Sequence, residues 1–188
     1  MNVNDTVEHL KYVAEKEGIE AEAEALNVIA QKADGGMRDA LSIFDQVVSF
    51  TGGHVTYQRV IENLNVLDYE YYFKLVDCFK SCNIADSLMI FNEILNKGFE
   101  GQNFINGLSS HFRDLMVSKN AKTVTLLEVG DNIKQTYLEQ AQSCSDDFLY
   151  KALRITNECD INYRTSKNKR LLVELSLIRL CQLSDEKK

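Results

Sequence analysis

The 188-residue chain is predicted to be all-α, and three observations carry that reading. Nearly every segment repeats its apolar residues with a period of about 3.6. There is no proline and there are only nine glycines, too little turn chemistry for a compact β-protein. Glycines such as Gly18 and Gly98 stand at the ends of periodic runs, where a left-handed cap closes a helix. Hydrophobic residues at 45% and charged residues at 26% are those of a globular protein. No apolar run approaches the ~20 residues that span a bilayer, and "MNVNDTVEHL" lacks the form of a signal peptide. A cytoplasmic location without a membrane partner is therefore expected.

Asp5 or Thr6 can cap a first helix with Val7, Leu10, Val13 and Ala14 inward, closed by Gly18. Ile19 is then an entry staple for a second helix built on Leu26, Ile29, Ala30 and Ala33, with Gly35 as its C′ residue. The third helix has the cleanest stripe: Met37, Ala40, Leu41, Phe44, Val47 and Val48. "TGGHVT" (51–56) is a turn, and Thr56 caps a short helix carrying Val60, Ile61 and Leu64.

After residues 65–68 the helices become longer and more aromatic. Tyr72, Leu75, Val76 and Phe79 line one, and Leu88, Phe91, Ile94 and Leu95 the next. A long helix follows on Phe104, Ile105, Leu108, Phe112, Leu115 and Met116. Residues 122–132 are the least regular run and are read as loop with one turn. Ile133, Tyr137, Leu138 and Ala141 suit a shorter helix, and Asp146 caps one that buries Leu149, Ala152, Leu153, Thr156 and Tyr163. The last helix, "RLLVELSLIRLCQL" (170–183), is apolar on almost every side, so one partner surface cannot bury it. It is central to a bundle or packs on another subunit as well, and Glu174 within it either pairs with a basic residue, the plainer reading, or faces a protein interface. The division falls near residues 65–69, giving an acidic unit, 1–66, and a larger bundle, 67–188.

A net charge of −7 is unsuited to strong direct nucleic-acid binding. Residues 164–170, "RTSKNKR", hold four bases and no acid, which reads better as a solvated loop between helices than as a phosphate-binding patch. Five scattered cysteines include the i,i+4 pair Cys78 and Cys82, but His9, His54 and His111 are far apart in sequence and complete no metal site. Ordinary buried thiols are expected. The chain has no GxxxxGK[ST] loop, no HExxH and no GxSxG, so no catalytic residue is assigned within it.

One position has unusual local physics. Arg38 stands in the first turn of the third helix, where the helix dipole disfavours a cation by ~0.3–1 kcal/mol. Its planar fork would suit an anion such as phosphate, alongside the free N–H groups of the same helix end. The plainer alternative is a surface pair with Asp34 or Asp39, worth ~0–1 kcal/mol.

The segment "ADGGMRDALSIFDQVVSF" (33–50) resembles the sensor-2 element of clamp-loader AAA+ ATPases, most closely the bacterial DNA polymerase III gamma/tau family. Residues 10–35 resemble the two preceding helices of that family's lid. The run 153–181 resembles the end of its collar, where Ser166, Asn168 and Arg170 match an S-x-N-x-R element. Gly36 replaces a common serine and Lys169 a frequent proline. The resemblance implies an AAA+ helical lid at 1–66 and a collar bundle at 67–188. It also implies that the sequence is a piece of a longer protein, beginning inside the lid. Arg38 would contact the phosphates of ATP held with Mg in the parent's ATPase domain, and Met37 would pack near the base. The partners implied are other clamp-loader subunits through the collar, then the sliding clamp and primed DNA through the full assembly. The piece itself is expected to bind no cofactor and to be no enzyme. The alternative is a free-standing helical adaptor with no nucleotide link.

Overall fold

In the computed structural model, which describes residues 2–34 and 36–185, the helices form two compact units. The first is Met1–Val66 with Thr125–Thr136, and the second Leu67–Val124 with Tyr137–Lys188.

The first unit holds α1 (Val3–Glu17), β1 (Glu20–Ala21), α2 (Ala23–Lys32), α3 (Met37–Thr51), β2 (His54–Val55) and α4 (Tyr57–Leu64). α1 starts earlier than expected, because Asn2 caps it by accepting the Asp5 N–H at 2.8 Å. Thr6 is instead buried and donates to the Asn2 carbonyl. Gly18 ends α1 at φ 68°, and the Ile19 N–H returns to the Ala14 carbonyl, so Ile19 closes α1 rather than opening α2. After α2 the left-handed residue is Asp34, at φ 53°. Gly35, expected there, lies outside the described residues. Thr56 caps α4 as expected.

Every residue of α2 from Ala25 to Ala30 is buried, so this helix needs neighbours on all sides. α1, α3 and α4 supply most of them. A parallel bridge pairs Glu20 with His54 and Ala21 with Val55, tying the chain before α2 to the chain after α3. Residues Thr125–Thr136 also belong to this unit, and the run read as irregular supplies 125–132 of them. There Gln31 Nε2 donates to the Glu128 carbonyl, and the Asn132 N–H donates to Glu24 Oε1 at 3.4 Å. A Cβ on Gly130 would lie 3.0 Å from the Glu24 side chain, so glycine permits this approach.

The second unit is built from α5 (Tyr69–Lys80), α6 (Ile84–Asn96), α7 (Gly101–Val117), the end of α8 (Asp131–Gln142), α9 (Asp146–Tyr163) and α10 (Lys169–Asp185). Ser145, not Asp146, caps α9 by accepting the Phe148 N–H at 3.0 Å. α10 packs against α5, α6, α7 and α9 and buries Val173, Ser176, Leu177, Leu180 and Cys181. It is the central helix, yet Leu171 and Leu175 stay 48% and 50% exposed. Glu174 pairs with Arg170 of its own helix at 3.7 Å.

A polar knot sits inside this unit. Gln140 Nε2 donates to the Phe73 carbonyl at 2.9 Å, which turns Oε1 toward His111 Nε2, also at 2.9 Å. His111 Nε2–H therefore donates, and Nδ1 accepts from the Tyr137 hydroxyl at 3.0 Å. Burial drives the His111 pKa down to about 4. Beside it, Tyr72 stacks between Phe104 and His111 and lies across α7 at Gly107.

A Cβ at Gly107 would meet Tyr72 Oη at 2.0 Å. Gly107→Ala should therefore destabilise by ~1–3 kcal/mol in urea unfolding, despite the higher helix propensity of alanine. A rise in stability would mean the Tyr72 ring is not held there. A neutral His111 supports the fold fully above its ordinary pKa, and that support is lost as pH falls from 6.5 toward 4. The loss should total about 3 kcal/mol, measured as the difference between wild type and His111→Gln in denaturant titrations across this range. Parallel pH profiles for the two proteins would contradict the assignment.

Candidate functional site

The turn from α2 to α3 brings Arg38 to the surface. Gly36 occupies the N-cap of α3 at φ −74°, ψ 123°, with no side chain to accept the first-turn N–H groups. A serine there would occupy those donors; glycine leaves them open to an outside acceptor. Met37 is half-buried at the helix start, and Arg38 and Asp39 are exposed. Ala40, Phe44 and Val47 lock the helix into the core of the first unit, so a rigid element carries Arg38.

Arg38 makes no hydrogen bond or ion pair with any described residue, although Asp34 and Asp39 flank it. The simple surface pair is thus not formed. The arrangement is a permanent cation beside an uncapped helix N-terminus, which suits an oxyanion such as a phosphate oxygen. Among the described residues no group of three or more His, Cys, Asp or Glu side chains could hold a metal ion.

The other candidates have structural employment. In 164–170, Lys169 Nζ donates to the Arg164 and Ser166 carbonyls at 3.3 and 2.9 Å, neutralising the end of α9. Asn168 accepts the Leu171 N–H at 3.0 Å and so caps α10, while Arg170 reaches Asn92 of α6 at 3.0 Å. Burial pushes the thiols of Cys78, Cys144, Cys159 and Cys181 above the ordinary range, which favours their protonated form. No described helix is long and apolar enough to cross a membrane.

The docking of 125–136 on α2 was missed by sequence reasoning, because its contacts are a glycine and two polar bonds rather than an apolar period. The runs of buried residues in α2 were the available signal.

Residues 5–53 match the family described as the DNA polymerase III clamp loader subunit ATPase lid domain. Residues 55–188 match DNA polymerase III subunits gamma and tau domain III. The tau subunit of DNA polymerase III from Bacillus subtilis is 27% identical over 180 residues, covering 96% of this chain and 32% of that protein. The Escherichia coli tau subunit is 25% identical over 180 residues, covering 95% and 28%. Protein STICHEL of Arabidopsis thaliana is 25% identical over 179 residues, covering 94% and 14%. Each relative is thus much longer than this chain, which spans about a third or less of its length. Among solved structures, the Bacillus subtilis DNA clamp loader delta protein superposes with a TM-score of 0.57 at 20% identity, covering 97% of this chain and 57% of that one. That last likeness is one of fold.

Proposed function

The chain belongs to the DNA polymerase III gamma and tau family of clamp-loader subunits, and we propose that it supplies the lid and collar of such a subunit. The lid carries Arg38 to the phosphates of an ATP bound in an ATPase domain that this sequence does not contain. The observation that carries this reading is the exposed, unpaired guanidinium at an uncapped helix start. Arg38 would donate to two phosphate oxygens through its planar fork, and the α3 amides would add dipoles directed at the same charge. ATP supplies the transferable phosphoryl group. Phosphoryl transfer also requires a phosphate-binding loop, and the sequence holds no GxxxxGK[ST] run. Met37 packs near the base, and the chain alone catalyses no hydrolysis.

The collar function rests on α10. Leu171 and Leu175, one turn apart, with Ile161 on α9 at 67% exposure, are apolar groups left outside the core of the second unit. They are the proposed contact with other clamp-loader subunits, whose assembly places the sliding clamp on primed DNA.

Arg38→Ala in the full-length subunit should leave its unfolding midpoint within ~0.5 kcal/mol of wild type, since no described partner is lost. ATP hydrolysis by the assembled complex should fall by about tenfold or more, the scale of one removed phosphate-binding charge. Unchanged hydrolysis would remove the phosphate role. Hydrolysis by purified 1–188 that Arg38→Ala abolishes would overturn the claim that this chain is no enzyme.

A further inference from the structure

Inside the second unit, α5, α6 and α10 pack against one another in every pairing. Thiols and one hydroxyl meet at their junction. The Ser87 hydroxyl of α6 lies 3.4 Å from Cys181 Sγ of α10 and is also hydrogen-bonded to the Cys78 thiol of α5. Two sulfurs that share one oxygen are separated by no more than two hydrogen-bond lengths. Ser87 further donates to the Asn83 carbonyl at 3.1 Å, which holds it on the first turn of α6. Cys82, half-buried in the turn between α5 and α6, lies near enough for its charge to act on the Cys181 thiol.

The thiols differ in their reach to solvent. Cys181 is fully buried. Cys78 is half-buried and lines an open groove of about 640 Å³ between α5 and α6, beside Asp86 and Met89. A small solute in that groove meets the Cys78 sulfur, and the Cys181 sulfur stands behind the same hydroxyl.

We propose that Cys78 and Cys181 form a disulfide site driven by hydroperoxide, in which Cys78 meets the oxidant and Cys181 closes the bond. The Cys78 thiolate attacks the terminal peroxide oxygen, the O–O bond breaks, and the leaving oxygen takes the Cys78 proton. The Cys181 thiolate then attacks the sulfur of the resulting sulfenic acid. The S–S bond forms, and hydroxide leaves with the Cys181 proton as water. Two thiols and one hydroperoxide give one disulfide, one water and one alcohol, or two waters from hydrogen peroxide. Burial raises both thiols above the ordinary range, against a smaller lowering by the Ser87 hydroxyl, so the reaction is slow. The reduced pair survives brief exposure and closes under sustained oxidant. The bond ties the central helix to α5, beyond Leu171 and Leu175 along α10. All of this rests on the second unit and stands apart from the lid-and-collar reading.

The test treats the folded, reduced 188-residue chain with hydrogen peroxide, then denatures it with N-ethylmaleimide present and maps disulfides by peptide mass spectrometry. The expected product is one intramolecular bond between Cys78 and Cys181, with Cys82, Cys144 and Cys159 alkylated. In guanidinium the same oxidant should lose this selectivity. Cys181→Ala should leave the sulfenic acid stranded, raising dimedone labelling of Cys78 about tenfold or more over wild type. Cys82→Ser should still give the Cys78–Cys181 bond. Survival of every thiol in the folded chain, under oxidant that converts the unfolded chain to disulfides, would overturn the proposal. A bond from Cys78 to Cys82 in place of Cys181 would do the same. The mapping uses wild type, so it decides the matter even if Cys181→Ala does not fold.

Discussion

Each unit of this protein is organised around one helix against which several others pack. α10 is that helix in the second unit, enclosed by α5, α6, α7 and α9. α2 is that helix in the first, enclosed by α1, α3 and α4, and the strap formed by residues 125–136 is hydrogen-bonded to its two ends through Glu24 and Gln31. In both units the demand of one sequence segment dictates what the rest of the unit must supply. The first unit meets it by borrowing residues from far downstream. The second leaves Leu171 and Leu175 uncovered, each withholding on the order of 1 kcal/mol of burial that a partner surface would recover.

The same rigidity explains the candidate site. Arg38 is disfavoured by the dipole of its own helix, and it pairs with no described residue. A protein that carries such a cation on a helix locked by Ala40, Phe44 and Val47 presents it in a fixed position. Glycine at the N-cap extends this, because a serine would have used the helix-end amides internally. A small local cost thus keeps both the charge and the dipoles available to an external anion, which is how the proposed phosphate contact is supported.

Much of this was legible in the sequence. The stripes of α3, α5 and α7 place Phe44, Leu75 and Phe112 in the core, and the Gly18, Gly98 and Thr56 boundaries follow from cap chemistry. The central position of α10 follows from its composition. Two caps were displaced by one to a few residues because several neighbouring side chains could accept the same N–H: Asn2 rather than Asp5 or Thr6, and Ser145 rather than Asp146. The parallel bridge of Glu20–Ala21 with His54–Val55 and the strap on α2 were not legible, since both depend on backbone groups meeting across long sequence separations. For the site, periodicity placed Arg38 on a helix start, and only family resemblance named a target. Local charge spacing suggested a pair with Asp34 or Asp39, and the turn geometry forms neither.

The central claim is that α10 serves the core with one face and assembly with another. Its most direct measurement is sedimentation equilibrium of the full-length subunit with its clamp-loader partners, comparing wild type with Leu171→Glu/Leu175→Glu. Both leucines are half-exposed, so the account predicts an unchanged melting temperature together with loss of the assembled species at concentrations where wild type is fully assembled. Assembly at wild-type affinity by a folded double variant would contradict it.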